Sequence, residues 1–507
     1  MTEFRRTWPD WDAVAAAIPP EWLREQRWFQ RKAATVDQVR LLDVLKLDDD
    51  PPSQKTPRAL LVVDIRVAGG PADVYLLPVS LRVRSGRDLP GFAVNAQTVA
   101  VDALADGVLH AAVRRRMGAG EAVAARKGSF RGEGRPYHGS DKCRVLAQTS
   151  SNSVVRLGDD EVLKYIRRLE PGENPELEMS RFFATHGDFT NLPALRGALH
   201  YKAAEGREFT LALALDRIAH DGDAWHWFQD QLAELLDSLP MGAAAIAPRI
   251  LDEAGGTVFR GAMTRLAAVL GHMHRVLCSG AGGPDFAPES IRPADLAGWS
   301  AALVRSADDL FDRLARMDPG DDTGLREFLA GLPRLREQVR QACERISRLQ
   351  PEGLLKCRVH GDFHLGQVLR AGSDFYIIDF EGEPLRDRDE RRAKQSPLKD
   401  VAGLCRSLNY AIYAALFAWR DRARPSAVVY HSLERTLPVW GLHLEETFLA
   451  EYGAATGRPA TPARRMLLAA HKLEKALYEL DYEINNRPGW LPIPARGIGD
   501  CLDELLP

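Results

Sequence analysis

The stretch "VHGDFHLGQVLRAGSDFYIIDFEGEP", residues 359–384, decides how the rest of the chain is read. Two short apolar runs, "QVLR" and "FYIIDF", flank "AGSD", which is a β-hairpin pattern. His360, Gly361 and Asp362 precede the first strand, and Asp379 and Glu381 end the second. A hairpin therefore gathers Asp362, Gln367 and Asp379 at one end of a small sheet.

Those side chains suit phosphoryl transfer, in which a protein orients an attacking hydroxyl and holds Mg²⁺ between phosphates. The spacing H-G-D-x-x-x-x-Q, followed by D-F-E, parallels the H-R-D-x-x-x-x-N and D-F-G of protein kinases. On that template Asp362 is the base for the acceptor hydroxyl, Gln367 offers its amide oxygen to one Mg²⁺, and Asp379 bridges the metals. Taken singly, each also fits a hairpin with polar ends, Asp362 merely capping a turn. The set in its strand context carries the catalytic reading.

Such chemistry needs a phosphate-holding lysine earlier in the chain, and "EVLKYI" supplies Lys164 inside a strand, where a charge needs a partner. The following helix offers Glu176 and Glu178, of which Glu178 is the favoured partner. Over the phosphates of ATP the hairpin turn "QTSSNSVV", residues 148–155, lacks a G-x-G-x-x-G pattern. Backbone amides with Ser150, Ser151, Asn152 or Ser153 are expected to do the cradling there. "LALALDRI" fits a strand that joins two lobes and meets adenine through its backbone.

Further outward, "QVRLLDVLKL", "RALLVVDIRV" and "DVYLLPVSLRV" predict a small antiparallel sheet between about residues 36 and 90. "EWLREQRWFQRKAA" predicts a short helix laid on it, with Trp22 and Trp28 packed rather than functional. "TVAVDALADGVLHAAVRRRM", residues 98–117, reads as a helix. A second β-rich piece runs through "CRVLAQ", "VVRL" and "EVLKYIRRL", and "NPELEMSRFFATH" is a helix behind an Asn174 cap. From about residue 222 the pattern is long helices. The order predicts an α+β fold in which a mixed lobe precedes a mainly helical one. Ser396 and Pro397 look like a helix start, with Asp400 in the first turn steadying the hairpin loop.

Composition limits the partners. The 507 residues are 45% hydrophobic, enough for two or three domains with their own cores. Lysine and arginine number 67 against 70 acidic residues, a net charge of −3, so no overall positive field draws the chain to nucleic acid or anionic lipid. The start lacks the apolar segment of a signal peptide, and no run reaches the ~18–20 apolar residues of a membrane span. A cytoplasmic protein with small-molecule partners is expected. Six cysteines without a C-x-x-C pair give neither a zinc nor a redox signature. His272 and His274, two apart, cannot share a helical face as H-x-x-x-H ligands do.

Together "VHGDFHLGQVL", "FYIIDFEGEP", "SPLKDVAGLCRSLNYA", "LKYIRRLEPGENPELE", "EQRWF" and "EKALYELDYEINNRPGWLPIPARGI" resemble bacterial maltokinases, within the aminoglycoside phosphotransferase-like kinases. The resemblance implies a bilobal protein kinase-like fold. Its parts would be an N-terminal cap subdomain (1–118), a β-rich intermediate subdomain (119–220) and an α-helical C-lobe (221–507). It implies an ATP- and Mg²⁺-dependent kinase that makes maltose 1-phosphate, a donor for α-glucan synthesis. Asp362 is then the base, Gln367 and Asp379 the metal ligands and Lys164 the phosphate-binding lysine, with His360 and Glu381 toward the sugar or the metals.

For the sugar, Lys475, Glu479 and Tyr482 recur at i, i+4 and i+7 on one helical face, and Trp490 follows after the turn at Pro488. Charged groups for hydroxyls and a ring for the apolar C–H face are what a sugar site needs. In the related glucosamine kinases a glutamate and a tryptophan from this helix and turn bind the sugar, and Glu479 and Trp490 match them; the same residues also suit helix packing. A glucosamine, other amino-sugar or aminoglycoside acceptor is the alternative, with Glu381, Glu383 and Glu479 available to an amine. A non-catalytic kinase-like binding module is disfavoured by intact Lys164, Asp362, Gln367 and Asp379. "LRDRDERRAK" reads as a solvated loop, with an arginine toward the substrate as the lesser option.

Overall fold

The computed structural model describes residues 9–47, 56–84, 90–149, 151–239, 247–321, 323–384 and 386–506 of the chain. Its contacts divide it into two units, Met1–Thr185 with Pro193–Ile218, and His186–Leu192 with Ala219–Pro507. The order is the α+β one expected, sheets first and helices after.

The first unit opens with α1 (Trp11–Ala16), capped by the Asp10 carboxylate on the Asp12 and Ala13 amides, and α2 (Pro20–Glu25). Trp22 and Trp28 are buried edge to face, 6.1 Å apart, as packing residues. The strands β1 (Val36–Lys46), β2 (Arg58–Val67), β3 (Asp73–Val83), β4 (Gly91–Ala93) and β5 (Thr98–Asp102) form an antiparallel sheet in the order β1-β2-β3-β5-β4. The helix expected over 98–117 is corrected here. Its first five residues alternate β-branched Thr98, Val99 and Val101 along β3, and α3 (Gly107–Ala119) begins only where Asp106 caps the Leu109 amide at 3.3 Å. Asp106 also accepts from Arg58 Nε at 2.9 Å, Ser80 Oγ at 2.7 Å and Arg82 Nη2 at 3.1 Å. One carboxylate thus ties two cap strands to a helix start.

The chain continues through β6 (Ala122–Ala124), β7 (Ser129–Gly134), β8 (Cys143–Gln148), β9 (Asn152–Leu157), β10 (Glu161–Ile166), β11 (Arg168–Leu169), α4 (Pro175–Thr185), β12 (Leu195–Lys202) and β13 (Glu208–Asp216). The second sheet runs β6-β7-β12-β13-β10-β9-β8, while β11 pairs with β3. Gly132 lets α3 lie against β7, since a Cβ there would collide with the Arg116 carbonyl. Leu45, Leu60 and Leu76 of the first sheet share one core with Leu163, Leu211 and Leu213 of the second.

The second unit contains α5 (Ala224–Ser238), α6 (Pro248–Leu277), β14 (Glu289–Ser290), α7 (Pro293–Leu314), α8 (Thr323–Ser347), β15 (Leu355–Lys356), the hairpin β16 (Val368–Ala371) and β17 (Asp374–Ile377), α9 (Arg388–Arg392), α10 (Leu398–Ala423), α11 (Ala427–Thr456), α12 (Pro462–Asn486) and α13 (Pro492–Leu505). α10 packs against α5, α11 and α12. By length and hydropathy it could cross a membrane, contrary to the expectation that no such segment exists, yet 78% of its apolar window is buried within the fold. The expected hairpin is present, with Val368 opposite Ile377 and Ala371 opposite Asp374. Asn191 fastens it, its side chain donating to Phe375 O at 2.8 Å and its carbonyl accepting from Ile377 N at 2.8 Å.

Asp106→Ala is expected to destabilise the protein by about 3–5 kcal/mol, because it removes a cap and takes the carboxylate from the buried Arg58 guanidinium. Burial opposes the Asp106 charge, but Ser80 and Arg58 hold its carboxyl below the usual range. A lowered carboxylate contributes fully above its unfolded value and loses that contribution as pH falls through the folded one. Urea melts of wild type and variant should therefore differ fully above about pH 5, and the gap should narrow only as pH falls below the ordinary aspartate value of about 3.9.

Candidate active site

Behind the loop 360–362 stands Asp400, buried in the first turn of α10. Its Oδ2 accepts from the His360 amide at 2.8 Å and its Oδ1 from the Gly361 amide at 2.9 Å. His274 of α6 shares a 3.0 Å hydrogen bond with Oδ2 and holds Tyr452 Oη at 2.8 Å with its other nitrogen. Burial works against the Asp400 charge, yet His274, His360 and the Gly361 amide keep the carboxyl below its usual range. Gly403, one turn into α10, is required because a Cβ would strike the Phe363 carbonyl. The steadying role expected of Asp400 matches this geometry.

Asp362 projects from that loop, and Lys475 Nζ of α12 lies 3.2 Å from its Oδ1 and 3.9 Å from Glu383 Oε1. Burial again opposes ionisation, but Lys475, His364 and His360 hold the Asp362 carboxyl below the usual range. Burial likewise pushes the Lys475 amine down, while Asp362, Glu383 and Glu479 outweigh it and raise it. Both groups are charged at neutral pH. An ionised carboxylate is what a proton acceptor requires.

Gln367 and Asp379 come together as expected, Gln367 Nε2 donating to Asp379 Oδ2 at 2.9 Å. Asp379 has φ = 66°, a left-handed conformation that a non-glycine residue adopts at an energetic cost. His360, expected to touch substrate, is buried; its Nε2 hydrogen-bonds Ile378 O at 2.8 Å, so it ties the two ends of the hairpin together. Glu381 is buried one residue beyond Phe380, and its carbonyl accepts from Arg391 Nη1 at 3.2 Å.

Within the first unit, Lys164 on β10 pairs with Glu176, whose Oε2 accepts from Nζ at 2.6 Å. This corrects the preference for Glu178. Residues two apart on a helix point to opposite sides, and Asn174, capping the Glu176 amide at 2.8 Å, sets which side faces β10. Of the expected cradle, Ser150 lies outside the described residues. Thr149 organises the turn by accepting from the Asn152 amide at 3.0 Å, and Asn152 Nδ2 donates to Ser151 Oγ at 3.1 Å. Ser153 already belongs to β9 with its side chain buried in the sheet, which places it outside the turn.

Two cavities meet at Asp362 and share Gly403, Lys475 and Tyr478. The larger, about 510 Å³, is lined by Tyr410, Glu479 and Tyr482, so the predicted face of α12 does line a site. Both bonds from Arg406, 3.0 and 2.7 Å, go to Glu479 Oε2, leaving Oε1 for another donor. Trp490 does not line either cavity. It backs the wall of the larger, with Arg487 4.2 Å from its ring centroid and Tyr410 6.2 Å away. The smaller cavity, about 280 Å³, adds Trp299, Glu383, Arg386, Lys399 and Glu474, residues from four separate segments that spacing alone does not connect. Arg386 bridges Glu383 and Glu474, so one arginine of "LRDRDERRAK" lines this cavity rather than standing in a wholly solvated loop.

A family model described as the maltokinase N-terminal cap domain matches residues 22–106, and one described as the phosphotransferase enzyme family matches residues 142–468. The chain belongs to the phosphotransferase enzyme family. Two curated relatives are glucosamine kinases, each 26% identical to it. That of Streptacidiphilus jiangxiensis aligns over 370 residues, 72% of this chain and 74% of its own. That of Mycolicibacterium smegmatis aligns over 381, 71% and 80%. A solved glucosamine kinase in complex with glucosamine, ADP and inorganic phosphate has a TM-score of 0.63 at 22% identity, covering 99% of this chain and 100% of the other. A second crystal form scores 0.65 at 20%, covering 98% and 100%. At that identity the structural likeness establishes the fold.

As a member of this family the protein is an ATP-dependent phosphotransferase with an alcohol group as acceptor. Asp362→Asn is nearly isosteric and should leave the melting temperature within a few degrees of wild type while lowering kcat by ~10²- to 10⁴-fold. Lys475→Met removes the nearest cation from Asp362, so the acid limb of kcat/KM should move upward from below the ordinary carboxylate value of about 3.9. An acid limb that stays in place would show that Lys475 does not set the charge of Asp362.

Proposed function

We propose that this protein is an ATP-dependent sugar kinase that phosphorylates maltose on its anomeric hydroxyl. The observation that carries the reading is the position of Asp362 where two cavities join, one walled by tyrosines and Glu479, the other by a ring of charged side chains. A hydroxyl presented to Asp362 has space on both sides of it, which suits two sugar rings better than one. The match of residues 22–106 to the maltokinase cap supports the same acceptor.

In this scheme Asp362 accepts the proton of the anomeric hydroxyl and Lys475 keeps that carboxylate charged until the proton moves. Tyr478, on both cavities, covers a C–H face, and Glu479 Oε1 accepts from a hydroxyl. Gln367 and Asp379 offer the hard oxygen donors that Mg²⁺ prefers. Bound there, Mg²⁺ would neutralise phosphate charge. Lys164, oriented by Glu176, is assigned the phosphates of ATP.

Glucosamine is the second reading, favoured by the names of the curated relatives and by Glu383 beside Lys475, a carboxylate available to an ammonium group. Incubation with ATP, Mg²⁺ and each sugar, with NMR of the product, separates the two. Maltose 1-phosphate is expected, and glucosamine 6-phosphate without it would replace maltose by the second reading. Tyr478→Ala should raise KM for the sugar by about tenfold and leave KM for ATP within about twofold, since lost uniform binding appears in KM. Trp490→Ala should act more weakly, through Arg487 and Tyr410.

A further inference from the structure

A third cavity, about 110 Å³, lies on the far side of Asp400 from the hairpin loop. It is lined by Arg458 and Arg464, with Cys278, His274, Tyr452 and Ser396. The turn between α11 and α12 builds it. Gly457, at φ = 65°, ends α11 and delivers Arg458, and Thr461 caps the Arg464 amide at 3.2 Å in the first turn of α12.

This placement concentrates positive charge. Arg464 stands at a helix N-terminus, where the macrodipole disfavours a cation. Among the described residues neither Arg458 nor Arg464 forms an ion pair with a carboxylate, although more than forty such pairs occur elsewhere in the chain, and Arg275, on the same rim, donates to the Ala455 carbonyl at 2.9 Å. Burial, and the charge of Arg458 beside it, hold the Arg464 guanidinium below its usual value. The Tyr452 hydroxyl is a neutral partner for Arg464, and two guanidiniums lining a cavity too small for a sugar suit a compact oxyanion taken up by charge-assisted hydrogen bonds.

We propose that the cavity at Arg458 and Arg464 is a second anion site, separate from the active site, that binds a phosphate-sized tetrahedral oxyanion, either free phosphate or the phosphoryl group of a small ester. Its occupant is connected to the catalytic loop. Tyr452 lines the cavity and holds His274 at 2.8 Å, His274 holds Asp400 at 3.0 Å, and Asp400 holds the His360 and Gly361 amides. An anion that fixes Tyr452 acts on the base through two side chains.

Inorganic phosphate titrated calorimetrically into the full chain, without nucleotide or sugar, should bind with Kd of ~1 mM or tighter. It should also slow alkylation of Cys278 by iodoacetamide, followed by peptide mass mapping, ~10-fold at phosphate ~10 times its Kd. Arg458→Gln/Arg464→Gln should remove both effects, and Asp362→Asn should keep them, which separates this site from the active site. Arg458→Gln alone, a change just past a helix end, should weaken binding should the double variant fail to fold. Glucose 1-phosphate in place of phosphate distinguishes the sources: tighter binding than phosphate assigns an ester, weaker binding the free ion. Undiminished phosphate binding in the folded Arg458→Gln/Arg464→Gln variant, or no binding and no protection of Cys278 in wild type, overturns the proposal.

Discussion

A single buried carboxylate organises the catalytic half of this protein. Asp400 accepts from two consecutive backbone amides, His360 and Gly361, and from His274. An ionised carboxylate with no solvent is tolerated only when donors surround it, so each of those groups is held as firmly as it is needed. The loop cannot shift without leaving a charge unsatisfied. Gly403, in van der Waals reach of Phe363, closes the same loop against α10 from the other side. The position of Asp362 is thus set by the first two turns of one helix together with the hairpin end that His360 holds.

Around Asp362 burial and charge oppose one another, and charge prevails. The carboxylate and the Lys475 amine are both largely removed from water, which alone would discharge each of them. Paired at 3.2 Å they stay ionised together, with Glu383 and Glu479 adding to the field on the lysine. The arrangement keeps an ionised carboxylate at neutral pH on the wall of a partly buried site. Acceptor binding displaces part of the solvent there and strengthens the same interactions.

Features set by local pattern were legible in the sequence, and features set by tertiary geometry were not. The hairpin and the meeting of Gln367 with Asp379 at one end of it follow from alternation and turn residues. The face of α12 carrying Lys475, Glu479 and Tyr482 follows from a 3.6-residue period. Residues 98–102 were misjudged because apolar residues ahead of a true helix extend its pattern, and only pairing with β3 shows them to be a strand. Glu176 and Glu178 are equivalent in a linear sequence and differ by more than half a turn in space. Trp490 was assigned to the sugar by its ring, but Arg487 and Tyr410 stand before it. Glu383 and an arginine of the 385–394 stretch were visible singly, but their meeting with Lys399 and Glu474 was not, since those two come from other segments.

The apolar character of α10 has a consequence for the life of the chain before it is folded. The helix presents 26 residues, long and apolar enough on average to pass for a membrane segment, and its burial depends on partners on both sides of it in sequence. α5 is made earlier, but α12 ends at Asn486, some sixty residues after Ala423. At ~5–20 residues per second a ribosome takes several seconds to supply that cover. During that interval the segment that later anchors the catalytic loop is an exposed oily surface, open to self-association or to chaperones. The element that makes the finished enzyme rigid is therefore also its most hazardous stretch during synthesis.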